Sequence, residues 1–343
     1  MAQLASGTPT TTATPNGTGQ PLLQIEHLTK YFPVGGLFES VNVHALEDVS
    51  FTIRRGEVVS VVGESGSGKS TTARLISRLM PPTSGWIVLE GEDILKKEPR
   101  RPSLHFRSQV QMVFQDPFGS LNGVHTIGHH LTRPLKIHHL TRGRRETRER
   151  VAELLNTVGL ESSAYAAKFP HQLSGGQRQR IAIARALAVD PVLLLADEPI
   201  SMLDVSIRMG ILNLMEKLKH ERGLAYLYIT HDLASARYIG DRTHVMYAGR
   251  MVEGATSEDL VHEPAHPYTR LLLSAVPDPT GQRARVEARG EVPSLVNPPP
   301  GCPFAARCPH VMPQCREVMP GIEHLNSTHW VRCHLYGAGE TQA

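Results

Sequence analysis

Two glycine-rich stretches carry the residues whose types and spacing could do chemistry. Residues 63–70 are GESGSGKS, and residues 173–180 are LSGGQRQR at the start of a predicted amphipathic helix. Glycine lets an anion approach the backbone closely, and N–H groups at a helix N-terminus favour negative charge. The sequence therefore predicts two phosphate-binding stretches and leaves open which phosphate the second one holds.

The first stretch, the phosphate loop, matches the pattern Gly-x-x-x-x-Gly-Lys-Ser between a predicted strand and a predicted helix, the context that this motif needs. Lys69 would reach the β- and γ-phosphates, the Ser70 hydroxyl would ligate Mg²⁺, and backbone N–H groups would surround the phosphates. The residues predicted to bind the nucleotide in this loop are Gly63, Glu64, Ser65, Gly66, Ser67, Gly68, Lys69, Ser70 and Thr71. The loop alone does not choose among kinases, GTPases and transport ATPases.

An acidic pair follows a predicted buried strand at residues 192–196. Asp197 ends that strand, where its carboxylate would bind Mg²⁺, and Glu198 would polarise a water in line with the γ-phosphate. Gln115 and His231 each follow another predicted parallel strand, and ligands gather at the carboxyl ends of strands in open α/β sheets. The predicted catalytic residues are Glu198, His231 and Gln115. An Asp-Glu pair in this place suits an attacking water, so the sequence predicts nucleotide hydrolysis.

Short β-branched runs alternate with helical patterns from Leu22 onward, which predicts an α/β fold. Residues 1–21 are polar and are predicted to form a disordered leader, and residues 22–263 form the nucleotide-binding domain. Helical patterns at about residues 124–190 predict a helical subdomain inside it. Residues 264–343 are predicted to form an irregular extension rich in proline and cysteine.

Composition excludes several classes of protein. The 343 residues include 36 basic and 33 acidic side chains, and this balance gives no argument for a nucleic-acid partner. No apolar run approaches the roughly 18 residues that a membrane helix needs, and the N-terminus lacks the pattern of a signal peptide. All four cysteines lie beyond residue 300, which favours a reduced, cytosolic protein without disulfides.

In these motifs the chain resembles the ATP-binding subunits of ABC transporters over about residues 22–276. The matching motifs are the Walker A loop at 63–70, the Q-loop glutamine Gln115, the signature at 173–180, the Walker B segment LLLADEP at 193–199, the D-loop SMLD at 201–204 and the switch histidine His231. The resemblance implies a P-loop ABC ATPase domain with a mixed sheet and a helical subdomain. It also places Tyr31 where this family stacks an aromatic side chain on adenine.

The resemblance implies an answer for the second phosphate-binding stretch. Two nucleotide domains of this family pair head to tail, so the signature of one subunit contacts the γ-phosphate of ATP held by the other. The residues expected to bind ATP in trans are Ser174, Gly175, Gly176, Gln177 and Asp204. The implied cofactors are ATP and Mg²⁺, with Ser70, Gln115 and Asp197 as the Mg²⁺ ligands.

A finer resemblance lies in the extension. EPAHPYTRLLLSAVPDP at residues 263–279 and VPSLVNPPPGCPFAARCPHVMPQC at residues 292–315 are similar to the C-terminal extension of oligopeptide/dipeptide-type importer ATPases. This implies an ATP-hydrolysing subunit, peripheral at the cytoplasmic face of the cell membrane, that powers import of peptides or a related small solute. The implied partners are a paralogous ATPase in a heterodimer, two membrane permeases and, indirectly, a solute-binding protein.

Two departures and two alternatives accompany that interpretation. Met202 stands in the D-loop where the family usually has alanine, and Gly123 stands where proline is common. An exporter or a lipoprotein-release complex would share the core motifs, although the extension argues against both. A DNA-associated ABC ATPase would need a long heptad-patterned insertion between the Walker A loop and the signature, and the sequence has none.

The cysteines Cys302, Cys308, Cys315 and Cys333 lie in a segment without the periodicity of a packed core, where a metal could replace the core. Structural zinc usually takes Cys-x-x-Cys pairs, and these spacings are wider. An iron–sulfur cluster also takes four thiolates and tolerates varied spacing, and members of the similar importer group can carry a [4Fe-4S] cluster on such a pattern. An iron–sulfur cluster, zinc and four free thiols remain the alternatives.

Overall fold

The structure, a computed structural model, describes residues 20–35, 40–275 and 290–337; the predicted leader up to residue 19 and residues 276–289 of the extension lie outside the described residues. The chain divides into two units. The loop unit comprises Met1–Arg54, Val59–Lys97 and His231–Ala343, and the signature unit comprises Arg55–Val58 and Glu98–Thr230.

The elements of the loop unit begin with two long strands and end in the extension. Its strands are β1 (Leu23–Gly35), β2 (Ser40–Ile53), β3 (Val58–Val62), β4 (Ser84–Leu89), β5 (Glu92–Asp93), β9 (Arg242–Tyr247), β10 (Arg250–Thr256), β11 (Glu323–His324) and β12 (Trp330–Val331). Its helices are α1 (Lys69–Ile76), α2 (Ile94–Lys97), α10 (Leu233–Ile239), α11 (Ser257–His262), α12 (Pro267–Ser274) and α13 (Gln314–Glu317), with a 3-10 turn at His334–Tyr336.

The signature unit has fewer strands and more helix. Its strands are β6 (Val110–Val113), β7 (Leu193–Asp197) and β8 (Ala225–Thr230). Its helices are α3 (Leu104–Gln109), α4 (Pro117–Ser120), α5 (Ile127–Ile137), α6 (Arg144–Thr157), α7 (Ser162–Tyr165), α8 (Gly175–Leu187) and α9 (Val205–Arg222), with a 3-10 turn at Pro170–Gln172. The helices α5 to α8 fall where the sequence predicts a helical subdomain; that domain boundary stays a prediction.

Within the loop unit, β1 pairs with β2 and β4 in an antiparallel sheet in the order β2-β1-β4-β5. A second set of strands runs β11-β12-β10-β9-β3, with β3 and β9 parallel and the others antiparallel. All five residues of β3 are buried. A strand buried on both faces is almost continuously apolar, and VVSVV shows this pattern with one serine at its centre; the end of the strand fixes where the phosphate loop begins.

Within the signature unit, β8, β7 and β6 form parallel pairs in that order. Strands β7 and β8 are buried at every residue. The parallel alignment places the residues that follow β6 and β7 at the same edge, because the carboxyl ends of parallel strands meet there. None of the helices described for this chain is long and apolar enough to cross a membrane.

The extension is fixed to the rest of the loop unit by a buried carboxylate on β10. Glu253 is fully buried and accepts hydrogen bonds from the N–H groups of Ala265 at 2.7 Å and His266 at 2.9 Å, and its Oε1 lies 2.7 Å from His329 Nε2. Strand β12 pairs with β10 beside it. One side chain therefore joins both ends of the extension to the sheet. The sequence predicted an irregular extension, and the structure places two short strands, β11 and β12, in it.

We expect Glu253→Ala to destabilise the loop unit by about 3 kcal/mol, because it leaves three buried donors without an acceptor. Thermal unfolding of the full chain measures this as a midpoint lowered by several degrees. Glu258→Ala is the matched control: Glu258 bonds to Arg237 and His262 but its side chain is 63% exposed, and exposed pairs contribute roughly 0–1 kcal/mol. Equal losses in both variants would contradict the role given to Glu253.

Candidate nucleotide-binding and hydrolysis site

The phosphate loop connects β3 to α1 and contains a buried lysine. Lys69 Nζ donates hydrogen bonds to the carbonyl oxygens of Gly63 at 2.7 Å and Glu64 at 2.8 Å, and lies 3.4 Å from Ser67 Oγ. The side chain is 4% exposed. The ammonium is therefore fixed against the loop backbone, so its charge lies where a phosphate enclosed by the loop would meet it.

Two glycines of the loop are required by close approaches of the backbone. A Cβ at Gly63 would lie 2.1 Å from the carbonyl oxygen of Met246 on β9. At Gly68, which precedes α1, φ is +107° and a Cβ would lie 2.7 Å from the carbonyl oxygen of Ala45. At Gly66, φ is +79° but no atom of the described residues lies within 4 Å. Glycine is therefore required at Gly63 and Gly68 because a side chain would clash with the neighbouring backbone. At Gly66 it is favoured because of the positive φ.

Glu64 is bound by residues of the C-terminal part of the chain. Its backbone N–H donates to the Tyr268 hydroxyl at 2.8 Å, so this predicted phosphate donor already has an acceptor. Its carboxylate accepts from Arg307 Nη1 at 2.8 Å and Nη2 at 3.0 Å. These hydrogen bonds raise the pKa of Arg307 above its ordinary value. The sequence gives no signal for Tyr268 and Arg307, because neither lies in a recognisable nucleotide motif.

The aromatic residue expected to stack on adenine lies in β1. Tyr31 is half-buried, and its ring centroid is 4.1 Å from that of His44 on β2 at an interplanar angle of 35°. The backbone N–H of Tyr31 donates to Thr83 Oγ1 at 2.9 Å. One contact therefore holds the ring and the other holds the backbone of Tyr31; its role toward adenine stays a prediction.

The acidic pair lies at the end of β7, with Gln115 beside it. Asp197 is 4% exposed, as the last residue of the buried strand. Gln115 Nε2 donates to Glu198 Oε2 at 2.9 Å, although the two residues are 83 positions apart. The structure therefore brings together two of the three residues that the sequence assigns to hydrolysis.

Glu198 has an unusual backbone. Its φ is +47°, in the left-handed region that costs a non-glycine residue about 1–2 kcal/mol. Its N–H donates to the Ile229 carbonyl of β8 at 2.9 Å, and its carbonyl oxygen accepts from the N–H and hydroxyl of Ser201. Strained residues of this kind cluster at functional sites, since the surrounding contacts must hold them in place.

The signature forms the N-terminus of α8. Exposed Ser174 is the N-cap: its Oγ accepts from the Gln177 N–H at 3.3 Å, while Gln177 Oε1 accepts from the Ser174 N–H at 3.0 Å. This capping box begins a helix of 13 residues with no acidic residue in its first turn. Both features suit an anion at the helix N-terminus.

The signature glycines have a packing role. A Cβ at buried Gly176 would lie 2.4 Å from Ile207 Cγ2 of α9, and one at Gly175 would lie 3.3 Å from Leu203 Cδ2. The second glycine is therefore required by the approach of α8 to the start of α9. Asp204 is exposed at the N-cap of α9, and its side chain makes no capping hydrogen bond.

His231 follows β8 directly and is exposed. It belongs to the loop unit, with Lys69 and Ser70, whereas Gln115, Asp197, Glu198, Ser174 and Asp204 belong to the signature unit. The sequence prediction that all of these act on one γ-phosphate stays a prediction.

The four cysteines line one cavity of the loop unit, and no disulfide links them. The N–H of Cys302 donates to the Cys315 carbonyl at 2.8 Å. Burial raises the pKa of the Cys302 thiol to about 12 and that of Cys333 to about 11. Among the described residues no group of three or more His, Cys, Asp or Glu side chains could hold a single metal ion.

Two family models match the chain. The ABC transporter model matches residues 46–201, and the model of the oligopeptide/dipeptide transporter C-terminal region matches residues 252–315. The oligopeptide transport ATP-binding protein AppF of Bacillus subtilis is 46% identical over 326 residues, 92% of this chain and 98% of that protein. The dipeptide transport ATP-binding protein DppF of Escherichia coli is 46% identical over 308 residues, 89% of this chain and 91% of that protein.

Solved structures agree with these relatives. A dimeric bacterial ABC transporter cassette is 34% identical with a TM-score of 0.60, covering 68% of this chain and 98% of the other. The dimeric post-hydrolysis state of an ATP-binding cassette bound to ADP and Pi is 32% identical with the same TM-score and the same coverage.

A phosphate loop with a buried lysine, together with an acidic pair at the end of a parallel strand, defines a P-loop ATPase. The chain belongs to the ABC transporter family, among the ATP-binding proteins that carry the oligopeptide/dipeptide transporter C-terminal region. It is an ABC-type ATPase, with ATP and Mg²⁺ as the implied nucleotide and metal.

We expect Gly63→Ala to lower nucleotide affinity by roughly 100-fold, because the added Cβ cannot fit beside the Met246 carbonyl oxygen and overpacking of this kind costs up to about 3 kcal/mol. Gly66→Ala is the matched control in the same loop. It adds only the left-handed strain of roughly 1–2 kcal/mol, which weakens binding by roughly 5- to 30-fold. Titration with a fluorescent ATP analogue measures both affinities, and circular dichroism checks the fold. Equal affinities in the two variants would contradict the packing argument.

Proposed function

We propose that this chain hydrolyses ATP to power the import of peptides through partner membrane permeases. The carrying observation for hydrolysis is the hydrogen bond of 2.9 Å between Gln115 and Glu198 at the end of a parallel strand. The assignment to peptide import is supported by the matching C-terminal region at residues 252–315 and by relatives named as oligopeptide and dipeptide transport ATP-binding proteins.

Residues of the phosphate loop would hold the triphosphate. Lys69 would exchange its bonds to the loop carbonyls for the β- and γ-phosphate oxygens, and the backbone N–H groups of residues 65–71 would surround them. Tyr31 would stack on adenine, a contact worth roughly 0.5–1.5 kcal/mol. The loop therefore supplies binding and charge neutralisation and no covalent chemistry.

The oxygen donors fit Mg²⁺, which prefers hydroxyl, carboxylate and amide oxygens. Ser70, Gln115 and Asp197 would hold it, and Asp197 is buried at the end of β7. Bound Mg²⁺ neutralises charge that develops on the phosphate oxygens.

Glu198 would accept the proton of the attacking water. Its carboxylate is oriented by Gln115 Nε2, and its left-handed backbone is held by the Ile229 carbonyl. His231 would contact the γ-phosphate from the segment after β8. Positioning and electrostatic stabilisation account for most of the catalysis of phosphoryl transfer, so small displacements of these groups change the rate strongly.

A second ATPase subunit would complete the site. Ser174, Gly175, Gly176 and Gln177 form a helix N-terminus with an exposed cap, and Asp204 lies exposed at the N-cap of α9. These residues would contact ATP bound to the partner, and the two dimeric ABC cassettes support this arrangement. We propose a paralogous ATPase as the partner, with two permeases and, indirectly, a solute-binding protein completing the transporter at the cytoplasmic face of the membrane.

The cysteine cavity offers the ligand set of an iron–sulfur cluster, since four thiols line it. Cys302, Cys308, Cys315 and Cys333 would hold a [4Fe-4S] cluster, since such clusters take four thiolates spread around a core wider than one ion. Bound there, the cluster would act as a structural staple for a segment with few regular elements.

Glu198→Gln should bind ATP normally and hydrolyse it roughly 10²–10⁴-fold more slowly, because the amide cannot accept the proton. Steady-state phosphate release measures the rate on the complex with the paralogous ATPase. Size-exclusion chromatography should show an ATP-dependent dimer of the variant with that partner. Near-normal hydrolysis would contradict the assignment of Glu198, and a monomer at saturating ATP would contradict the dimer.

Uptake of labelled peptides tests the transported substrate. Cells lacking this chain should regain uptake with the wild-type protein and not with Glu198→Gln. Glu216→Gln is the control, because the carboxylate of Glu216 bonds to exposed His220 on the same helix, α9. Restoration of export instead of uptake, or of uptake of sugars alone, would contradict peptide import.

Anaerobic purification tests the cysteine cavity. We expect about four iron atoms and four sulfides per chain with broad visible absorption, and loss of both in Cys302→Ser and Cys315→Ser. A colourless protein without iron would reject the cluster, and one zinc per chain would establish the alternative metal. His324→Ala is the control, since His324 lies in the extension at β11 and does not line the cavity.

A further inference from the structure

The phosphate loop is gripped at Glu64 by two side chains from the far end of the chain. The N–H of Glu64 donates to the hydroxyl of Tyr268, 204 positions away. The carboxylate of Glu64 accepts hydrogen bonds from both terminal nitrogens of Arg307, 243 positions away. An arginine fork that bonds both carboxylate oxygens fixes direction as well as distance. Both the backbone and the side chain of Glu64 are therefore held in place by the C-terminal part of the chain.

Arg307 is itself held in one orientation. Its side chain is 8% exposed, and Nη1 also donates to the Tyr247 hydroxyl at 3.3 Å. The guanidinium carbon lies 5.8 Å from the ring centroids of both Tyr247 and Phe304. A buried guanidinium between two aromatic rings has little freedom to reorient, so the fork is formed in advance.

The residues behind both contacts form one aromatic cluster, defined as Tyr247, Tyr268 and Phe304. Tyr247 and Tyr268 have ring centroids 4.5 Å apart, and Phe304 lies 5.3 Å from Tyr247 and 5.4 Å from Tyr268. All three are buried in one core of the loop unit. The cluster joins β9, α12 and the extension, so Glu64 is tied to a rigid part of the fold.

We propose that Arg307 is a positioning residue for the nucleotide: through Glu64 it holds the phosphate loop in its binding conformation before ATP arrives. The loop contains three glycines and has little stiffness of its own. A loop that is already ordered loses less conformational entropy on binding, which raises affinity. The inference rests on the proposed role of this loop in ATP binding and extends it to the C-terminal extension.

A purely structural role for Arg307 makes a different prediction, and the chain offers a matched control. Arg332, also in the extension, donates from Nη2 to Asp48 Oδ2 at 2.7 Å, and its side chain is 15% exposed. This ion pair also ties the extension to the loop unit, but neither residue belongs to the phosphate loop. Arg332→Ala therefore measures how loss of an ion pair between the extension and the rest of the loop unit affects the fold without a direct change at the phosphate loop.

The experiment measures the affinity of the full chain for a fluorescent non-hydrolysable ATP analogue. We expect Arg307→Ala and Glu64→Ala each to weaken binding by about tenfold, as loss of a charge-assisted pair would. The double variant should be no weaker than either single one, because the two residues act as a unit. Arg307→Lys should recover only part of the affinity, since lysine keeps the charge without the fork. Arg332→Ala should bind as the wild type does.

Three outcomes would overturn the proposal. The first is an Arg307→Ala affinity equal to that of Arg332→Ala, and the second is additive losses in the double variant. If Arg307→Ala fails to fold, Glu64→Gln replaces it in the experiment. The third outcome is then an affinity of Glu64→Gln equal to that of the wild type. Measurements on the wild-type protein and on Lys69→Ala test the binding role of the loop separately from the positioning role of Arg307. Failure of the wild type to bind the analogue would reject the binding role of the loop itself.

Discussion

A loop that binds phosphate must keep its backbone N–H groups in fixed directions before the ligand arrives, and β3, α1 and the C-terminal extension serve that constraint. The buried strand β3 sets where the loop begins, and α1 sets where it ends. Lys69 bonds to the loop carbonyls at residues 63 and 64. These two bonds restrain the backbone at the start of the loop, and the rest of its order comes from contacts outside the loop.

The C-terminal extension belongs to the same arrangement. Glu253 draws together the segment that leads to α12 and the segment that ends at β12, using a carboxylate with three hydrogen-bond partners. A buried carboxylate without these partners would be strongly unfavourable. With them, the extension is fixed, and Tyr268 and Arg307 can reach Glu64. Stability of the extension and order of the phosphate loop are therefore coupled through named contacts.

The residues proposed to act in hydrolysis are positioned by strand pairing. Parallel pairing of β6 with β7 places Gln115 within hydrogen-bond distance of Glu198. The left-handed backbone of Glu198 is unfavourable for a residue with a Cβ, and the Ile229 carbonyl and Ser201 maintain it. Hydrogen bonds from neighbouring residues of the signature unit thus maintain the strained backbone of Glu198, as is common where a side chain needs a fixed orientation.

The sequence by itself determined the motifs whose function depends on residues close together along the chain. The phosphate loop, the acidic pair after β7 and the capped start of α8 each depend on local spacing, so their residue types predicted the α/β fold and the nucleotide chemistry. Tertiary structure alone decided the contacts between distant residues: Gln115 with Glu198, Glu253 with His329, and Glu64 with Arg307. These pairs are 83, 76 and 243 positions apart. Local pattern indicated only that Gln115 and Glu198 each follow a parallel strand, and it carried no information about the other two pairs, because such distances are set by strand order and by packing of the whole core.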